Sequence, residues 1–201
     1  MHPAVDHLRR ADPVLRSVID RAGPYAIRYH PPVFATLARS IVSQQLSGRA
    51  AATIWGRLVA LVRPRRLTPA AVLALSDNSL RACGLSVQKI TSIRDLAHRA
   101  AAGELRFRRL MRLEDEHVIR ELTPVRGVGV WTAHMFLIFA LRRPDVLPTG
   151  DLGIRNAITR AYGLAVPPSP AQMEEIAAPW RPWRSAASWY LWRSLDNQAA
   201  L

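Results

Sequence analysis

Leu122-Thr-Pro-Val-Arg-Gly-Val-Gly-Val-Trp-Thr-Ala133 sets two glycines, Gly127 and Gly129, in a short turn between two helical patterns. Glycine permits positive φ and close backbone approach, so such a turn can offer bare N–H groups to a phosphate oxygen. One helix further on comes Pro148-Thr-Gly-Asp-Leu-Gly-Ile-Arg155, in which a lone carboxylate, Asp151, opens the next helix. The two stretches together predict a device that grips a phosphate backbone and a charge placed to act on what is gripped.

Composition agrees. Of 201 residues 49% are apolar, enough for one or two compact lobes, and the net charge of +13 calls for a polyanionic partner. A membrane surface is the rival polyanion. No apolar run approaches the ~20 residues of a spanning helix, and Met1-His-Pro-Ala-Val-Asp6 has no charged-then-apolar signal pattern, so the expectation is a cytoplasmic, nucleoid-associated protein without a membrane partner. Cys83 is the only cysteine, which excludes a disulfide or a four-cysteine metal site within the chain, and the histidines lack zinc-ligand spacing. Lys89 is the only lysine, so nearly all the positive charge is arginine.

The periodicity is helical almost throughout and no segment sustains strand alternation, which predicts an all-α fold. Two helices are expected within Phe34–Val62, joined near Gln45-Leu46-Ser47-Gly48. Others are expected at Pro69–Ala74, Asp77–Cys83, Val87–Ala102, Glu114–Leu122, Thr132–Leu141, Leu152–Tyr162, Pro170–Ala177 and Arg184–Ser194. Val166-Pro-Pro-Ser-Pro170 and Arg63-Pro-Arg-Arg66 read as loops, with a cap near Ser169. The expected organisation is two helical lobes, residues 34–130 ending in the hairpin and residues 1–33 with 131–201 carrying Asp151, with the active site in the cleft between them.

The hairpin and the segment Leu147–Arg155 resemble the helix-hairpin-helix-GPD superfamily of DNA glycosylases, and within it the DNA-3-methyladenine glycosylase II type. Ser40-Ile-Val-Ser-Gln-Gln-Leu-Ser47, Cys83-Gly-Leu-Ser86, Arg142-Arg-Pro-Asp-Val-Leu-Pro148 and Pro179-Trp-Arg-Pro-Trp-Arg-Ser185 match the same type, so the resemblance runs from about Val33 to Leu195. It implies a two-lobed helical glycosylase with Asp151 as the catalytic aspartate and Trp131 and Trp192 as pocket tryptophans. The side chain that fills the gap left by a flipped nucleotide would come from Gln45 or Leu46. The implied contacts to double-stranded DNA are those two residues with Arg126, Gly127, Val128, Gly129 and Thr132. Carbonyls of Thr123, Val125 and Gly127 would hold a structural Na or K ion, with no other cofactor required. The chain departs from the enterobacterial form in lacking its N-terminal β-rich domain and in carrying Met135 where that form places a pocket aromatic. Such enzymes act as monomers.

The chemistry can also be read from the residues alone. Cleaving an N-glycosidic bond builds positive charge on the sugar, and a carboxylate beneath the ring stabilises that charge and can orient a water. Asp151 suits the task at a helix N-terminus, whose dipole and N–H groups favour an anion. From position alone it reads equally well as an N-cap. Where some superfamily members place a Schiff-base lysine this chain has Trp131, and Lys89 lies on another helix, so hydrolysis without strand nicking is expected. An indole face attracts a cationic alkylated purine such as 3-methyladenine or 7-methylguanine by about 0.5–2 kcal/mol. Trp189 and Tyr190 lie on the helix of Trp192 and could extend a second wall. Trp55, Trp180, Trp183 and Trp189 otherwise read as core, and Cys83 as a packed thiol. Arg126, Arg155 and Arg49 read as phosphate contacts or as solvated charges.

The expected function is therefore monofunctional excision of alkylated purines from duplex DNA. A non-catalytic damaged-DNA-binding module and a glycosylase for neutral lesions such as uracil, hypoxanthine or etheno-adenine stand as alternatives. Asp151 separates the first, because binding alone gains nothing from an anion near phosphates.

Overall fold

A computed structural model describes residues 2–64 and 66–196. Among the described residues all regular structure is helical: α1 (Pro3–Ala11), α2 (Pro13–Ala22), α3 (Phe34–Ser43), α4 (Gly48–Ala60), α5 (Pro69–Ala74), α6 (Asp77–Ala82), α7 (Val87–Ala101), α8 (Phe107–Leu110), α9 (Asp115–Leu122), α10 (Val130–Phe139), α11 (Leu152–Ala161), α12 (Pro170–Ile176), a 3-10 turn at Ala178–Trp180, and α13 (Arg184–Asp196). The expected helices are all present. The chain divides into two compact units, one running through Tyr29 and resuming at Leu137, the other His30–Phe136, so the division falls inside α10.

In the first unit α2 packs against α1 and α13, and α13 against α11. Their shared core is built from Leu8, Leu15, Val18, Ile154, Ile158, Met173, Trp180 and Leu191. Neither α1 nor α2 is among the helices expected from the sequence, although each begins with proline behind a capping residue and repeats apolar positions at three- and four-residue steps. Asp12 joins this unit together. One oxygen caps α2 by accepting the N–H groups of Val14 and Leu15, both at 2.9 Å, and the other accepts the Trp180 indole N–H at 2.8 Å and the Tyr162 hydroxyl. Burial and then the bond to the Asp12 carboxylate push the Tyr162 hydroxyl pKa far up, which keeps it a neutral donor.

In the second unit α3 and α5 pack on α7, and α4 on α3. Leu37, Ile41, Leu58, Val72, Leu80, Ile93, Leu96 and Leu110 are fully buried there. Cys83 is buried as expected; desolvation raises its pKa, outweighing the lowering by Arg57, so the thiol is not poised as a nucleophile. The short α8 at Phe107–Leu110 was not foreseen, because four residues carry too little periodicity to read. The helix expected from Thr132 starts at Val130 instead, because the Gly129 carbonyl already accepts the Ala133 N–H at 3.0 Å.

Asp12→Ala should strand two cap N–H groups, an indole and a phenol in the first unit and cost about 2–4 kcal/mol, read as a fall in the urea midpoint. A variant as stable as the parent would show that Asp12 does not tie these elements together.

Candidate active site

Asp151 lies in the first unit at the N-cap of α11 and is 8% exposed. Its Oδ1 accepts the Ile154 N–H at 2.8 Å and the Trp192 indole N–H, from α13, at 3.1 Å. Two donors on one oxygen, both neutral N–H groups, hold the carboxylate between α11 and α13. Trp192 is held in turn by Phe139, whose ring stacks on it at 5.8 Å between centroids and 29° between planes. Gly153 makes this pairing sterically feasible. A Cβ there would lie 3.0 Å from Asp151 Oδ1 and 3.4 Å from Trp192 Cδ1.

The segment that delivers Asp151 is fixed from α13. Arg184, 8% exposed, donates through Nε to Asp145 Oδ1 at 2.7 Å and through its terminal nitrogens to the Asp145 carbonyl at 2.9 Å and to Glu174 at 2.8 Å. Beside it the Ser185 hydroxyl donates to the Arg143 carbonyl at 2.7 Å and accepts the Val146 N–H at 3.0 Å. Burial raises the Asp145 pKa, but the bonds and charge of Arg184, helped by Arg181, outweigh it and hold the carboxyl below its ordinary range. Val146 and Leu147 are pulled into the core, and Asp151 N–H closes the turn onto the Pro148 carbonyl at 2.9 Å.

The hairpin belongs to the second unit. Gly127 has φ +75°, and a Cβ on it would meet Ser92 Oγ at 2.7 Å, so glycine is required twice over. Gly129 differs from the expectation: its φ is not in the left-handed region, and a Cβ would meet nothing within 4 Å. Its absent side chain leaves open space, which suits approach by an outside group. The Arg126 N–H is bound to Asp95 Oδ2 at 2.8 Å, and Val128 N–H to the Val125 carbonyl at 3.0 Å, so neither is offered outward. The N–H groups that head α10, from Gly129 onward, precede the helix's own ladder and carry its positive dipole end.

The foreseen residues sort accordingly. Gln45 and Leu46 form an exposed turn between α3 and α4, with Gln45 at φ +56°. Trp131 is 43% exposed on α10 and Met135 half-buried one turn on, while Arg126 and Arg49 are exposed. The side chains of Val128 and Thr132 are each 3% exposed, and Thr132 Oγ1 accepts from Gln44 Nε2 at 3.3 Å, so what these two residues can present to DNA is backbone. Tyr190, foreseen as a further wall, is core at 1% exposure against Tyr25, with Trp189 edge-on to both. Trp180 is fully buried, as expected of a core tryptophan. Arg155 donates through Nε to the Pro168 carbonyl at 3.0 Å, which gives it a structural task.

Of the carbonyls expected to hold a monovalent ion, the Gly127 oxygen accepts Gln44 Nε2 at 2.8 Å, which uses one of its two lone pairs. The Val125 oxygen likewise carries the Val128 N–H. Among the described residues no cluster of three His, Cys, Asp or Glu side chains could hold a metal.

Sequence reasoning missed Gly153, Arg184, Asp95 and Gln44. Gly153, Arg184 and Gln44 stood inside quoted stretches, and the signal for Arg184 was a buried-type arginine sharing a motif set with Asp145.

A family model described as HhH-GPD superfamily base excision DNA repair protein matches residues 38–182. DNA-3-methyladenine glycosylase 1 of Schizosaccharomyces pombe is 36% identical over 168 residues, covering 80% of this chain and 72% of that protein. A solved structure of the 3-methyladenine DNA glycosylase of that yeast in complex with abasic DNA aligns with a TM-score of 0.85 at 32% identity, over 96% of each chain. The DNA-3-methyladenine glycosidase of Bacillus halodurans aligns with a TM-score of 0.87 at 35% identity, over 99% of this chain and 92% of that one. The chain therefore belongs to the HhH-GPD superfamily of base excision DNA repair proteins, and its fold is that of the all-α glycosylases.

Gly153→Ala should press the Asp151 carboxylate and the Trp192 indole apart. Base release from methylated DNA should drop about tenfold or more while the melting temperature changes little; unchanged release would show the pairing to be dispensable. The Asp145–Arg184 pair makes an acid-limb prediction. Because the Asp145 pKa is depressed on folding, its stabilisation is complete above the ordinary carboxylate value of about 3.9 and is lost as pH falls through the lower folded value. The stability gap between the parent and Asp145→Asn should therefore be flat from about pH 7 to 5 and close below about pH 4 in urea titrations.

Proposed function

We propose that this protein is a monofunctional DNA glycosylase that hydrolyses the N-glycosidic bond of alkylated purines, of the 3-methyladenine and 7-methylguanine type, in duplex DNA during base excision repair. The observation that carries this reading is the Asp151 carboxylate, withdrawn from solvent at a helix N-terminus with its Oδ1 accepting both the Ile154 N–H and the Trp192 indole N–H. An N-cap alone needs the Ile154 contact. The indole of Trp192, brought from α13, adds a second donor that a cap does not require and that sets the direction in which the charge points.

In the proposed reaction the bond electrons leave with the base, so a cationic alkylpurine departs neutral and needs no dedicated acid. Positive charge builds on the deoxyribose, the Asp151 carboxylate stabilises it, and a water adds at the sugar carbon, losing its proton to the carboxylate and then to solvent. The product is a free base and an abasic site. Trp131, the exposed indole of the hairpin helix, is the proposed stacking face for the cationic base, with Met135 beside it. Trp192 is assigned to the carboxylate instead, because Phe139 already covers one of its faces. Strand nicking is not expected: the sole lysine, Lys89, donates to the carbonyls of Val42 at 2.5 Å and Gln44 at 2.8 Å. No cofactor takes part in the proposed reaction, and the enzyme would act as a monomer on double-stranded DNA.

Asp151→Asn keeps the shape and removes the charge. Release of methylpurines from methylated genomic DNA, followed by chromatography, should fall at least about a hundredfold, while affinity for a duplex with an abasic analogue is kept or improved. Borohydride added during turnover should trap no protein–DNA adduct with the parent. Release by the Asn variant at the parent rate would refute the catalytic assignment, and absence of release by the parent on methylated DNA would favour a binding module.

A further inference from the structure

The Gln44-Gln45-Leu46 turn ends α3 in a conformation that local forces do not favour. Gln45 takes φ +56° without being glycine, a conformation that L side chains rarely adopt unless neighbours hold it. The last carbonyls of α3 also lie beyond the helix ladder and require donors. Two side chains meet both needs. The Lys89 ammonium, from α7, donates to the carbonyl oxygens of Val42 at 2.5 Å and Gln44 at 2.8 Å. The Gln44 amide reaches the other way, donating to the Gly127 carbonyl at 2.8 Å and to Thr132 Oγ1 at 3.3 Å. The turn is thereby held to α7 on one side and to the phosphate-gripping hairpin on the other, all within the second unit. Lys89 is half-buried, and desolvation lowers its pKa.

We infer that Lys89 is a positioning residue for strand insertion: with Gln44 as the strut, it locks the Gln45-Leu46 turn in register with the hairpin, so that a side chain enters the base stack where the backbone is gripped. The inference rests on the glycosylase reading above, since only an enzyme that empties a place in the duplex needs a plug set at a fixed distance from its phosphate contacts. An ammonium suits this lock because it can donate to several carbonyls at once in the cramped space at a helix end, where its charge also meets the negative end of the α3 dipole. Lysine chemistry is thus spent on geometry in a chain that uses arginine everywhere else.

The test compares Lys89→Met, which keeps the aliphatic stem, with Lys89→Arg and Gln44→Leu. Single-turnover release of methylpurines is measured on methylated duplex and on the same strand alone, where no stack has to be filled. Loss of the lock should lower the duplex-to-single-strand ratio about tenfold in Lys89→Met and in Gln44→Leu, with partial recovery in Lys89→Arg. A merely structural lysine would lower both rates together and leave the ratio at the parent value, which would overturn the inference. A second readout does not depend on base release: 2-aminopurine placed opposite an abasic analogue brightens when a side chain enters the stack. The parent should brighten it and Lys89→Met should not, at equal affinity for undamaged duplex. Equal brightening by both would overturn the inference, whereas a parent that brightens the probe but releases no methylpurine would sink the glycosylase reading alone.

Discussion

A carboxylate withdrawn from water needs hydrogen-bond donors, and that requirement organises the first unit around Asp151. The donors are the N-terminus of α11 and the indole of Trp192, so α11 and α13 must meet at a fixed distance. Their close approach is permitted by Gly153 and by the small residues Ala157, Ala186 and Ala187 in the core around them. The segment upstream is then constrained as well, because Asp151 reaches the helix start only if Asp145 to Pro148 follows the course that Arg184 and Ser185 impose. A surface arginine pair is worth little, but Arg184 is buried and bonds its partner's side chain and backbone together, which converts charge into loop geometry.

The second unit solves the complementary problem with neutral groups. A phosphate gripped by backbone N–H groups is positioned without being strongly attracted, so the long-range pull must come from elsewhere, and a net charge of +13 carried by arginine supplies it. Asp95 shows how far the hairpin is specialised: a carboxylate beside a phosphate site would repel the ligand, yet its charge is bound to the Arg126 N–H and shared with Arg99 at 3.2 Å. It secures the base of the turn and leaves the head of α10 to face outward.

The fold was legible because helix periods, Ser and Asp caps and glycine stops agree along most of the chain; Pro69–Ala74 begins and ends where the pattern does. The two N-terminal helices were passed over although Asp12-Pro13 is a strong start signal, and the three-way role of Asp12 could not have been read, since Tyr162 and Trp180 are distant in sequence. Asp151 and Gly127 were legible because their chemistry is local: a cap position and a positive φ. The inward turn of the Val128 and Thr132 side chains was not legible. Membership of the hairpin says nothing about which way a side chain turns, and both turn inward. Gln44 was overlooked beside Gln45 because adjacent residues at a helix end point apart, one to the hairpin and one to solvent.

Assigning Trp192 to the carboxylate changes how selectivity is argued. Two indoles sandwiching a base would favour any flat cation or neutral ring alike, since stacking is tolerant of base identity. With Trp192 engaged edge-on by Asp151 and face-on by Phe139, the proposed recognition reduces to one exposed indole, Trp131, and the proposed catalysis to an anion that rewards only bonds already weakened by positive charge on the base. Discrimination then comes from the leaving group more than from the fit. Such a site would tolerate purines of different shape and respond chiefly to alkylation at ring nitrogens, whereas neutral lesions would lack both the cation–π attraction and the easy departure. A chain with a tightly contoured pocket would have needed more buried polar groups around the base than a tryptophan and a methionine provide.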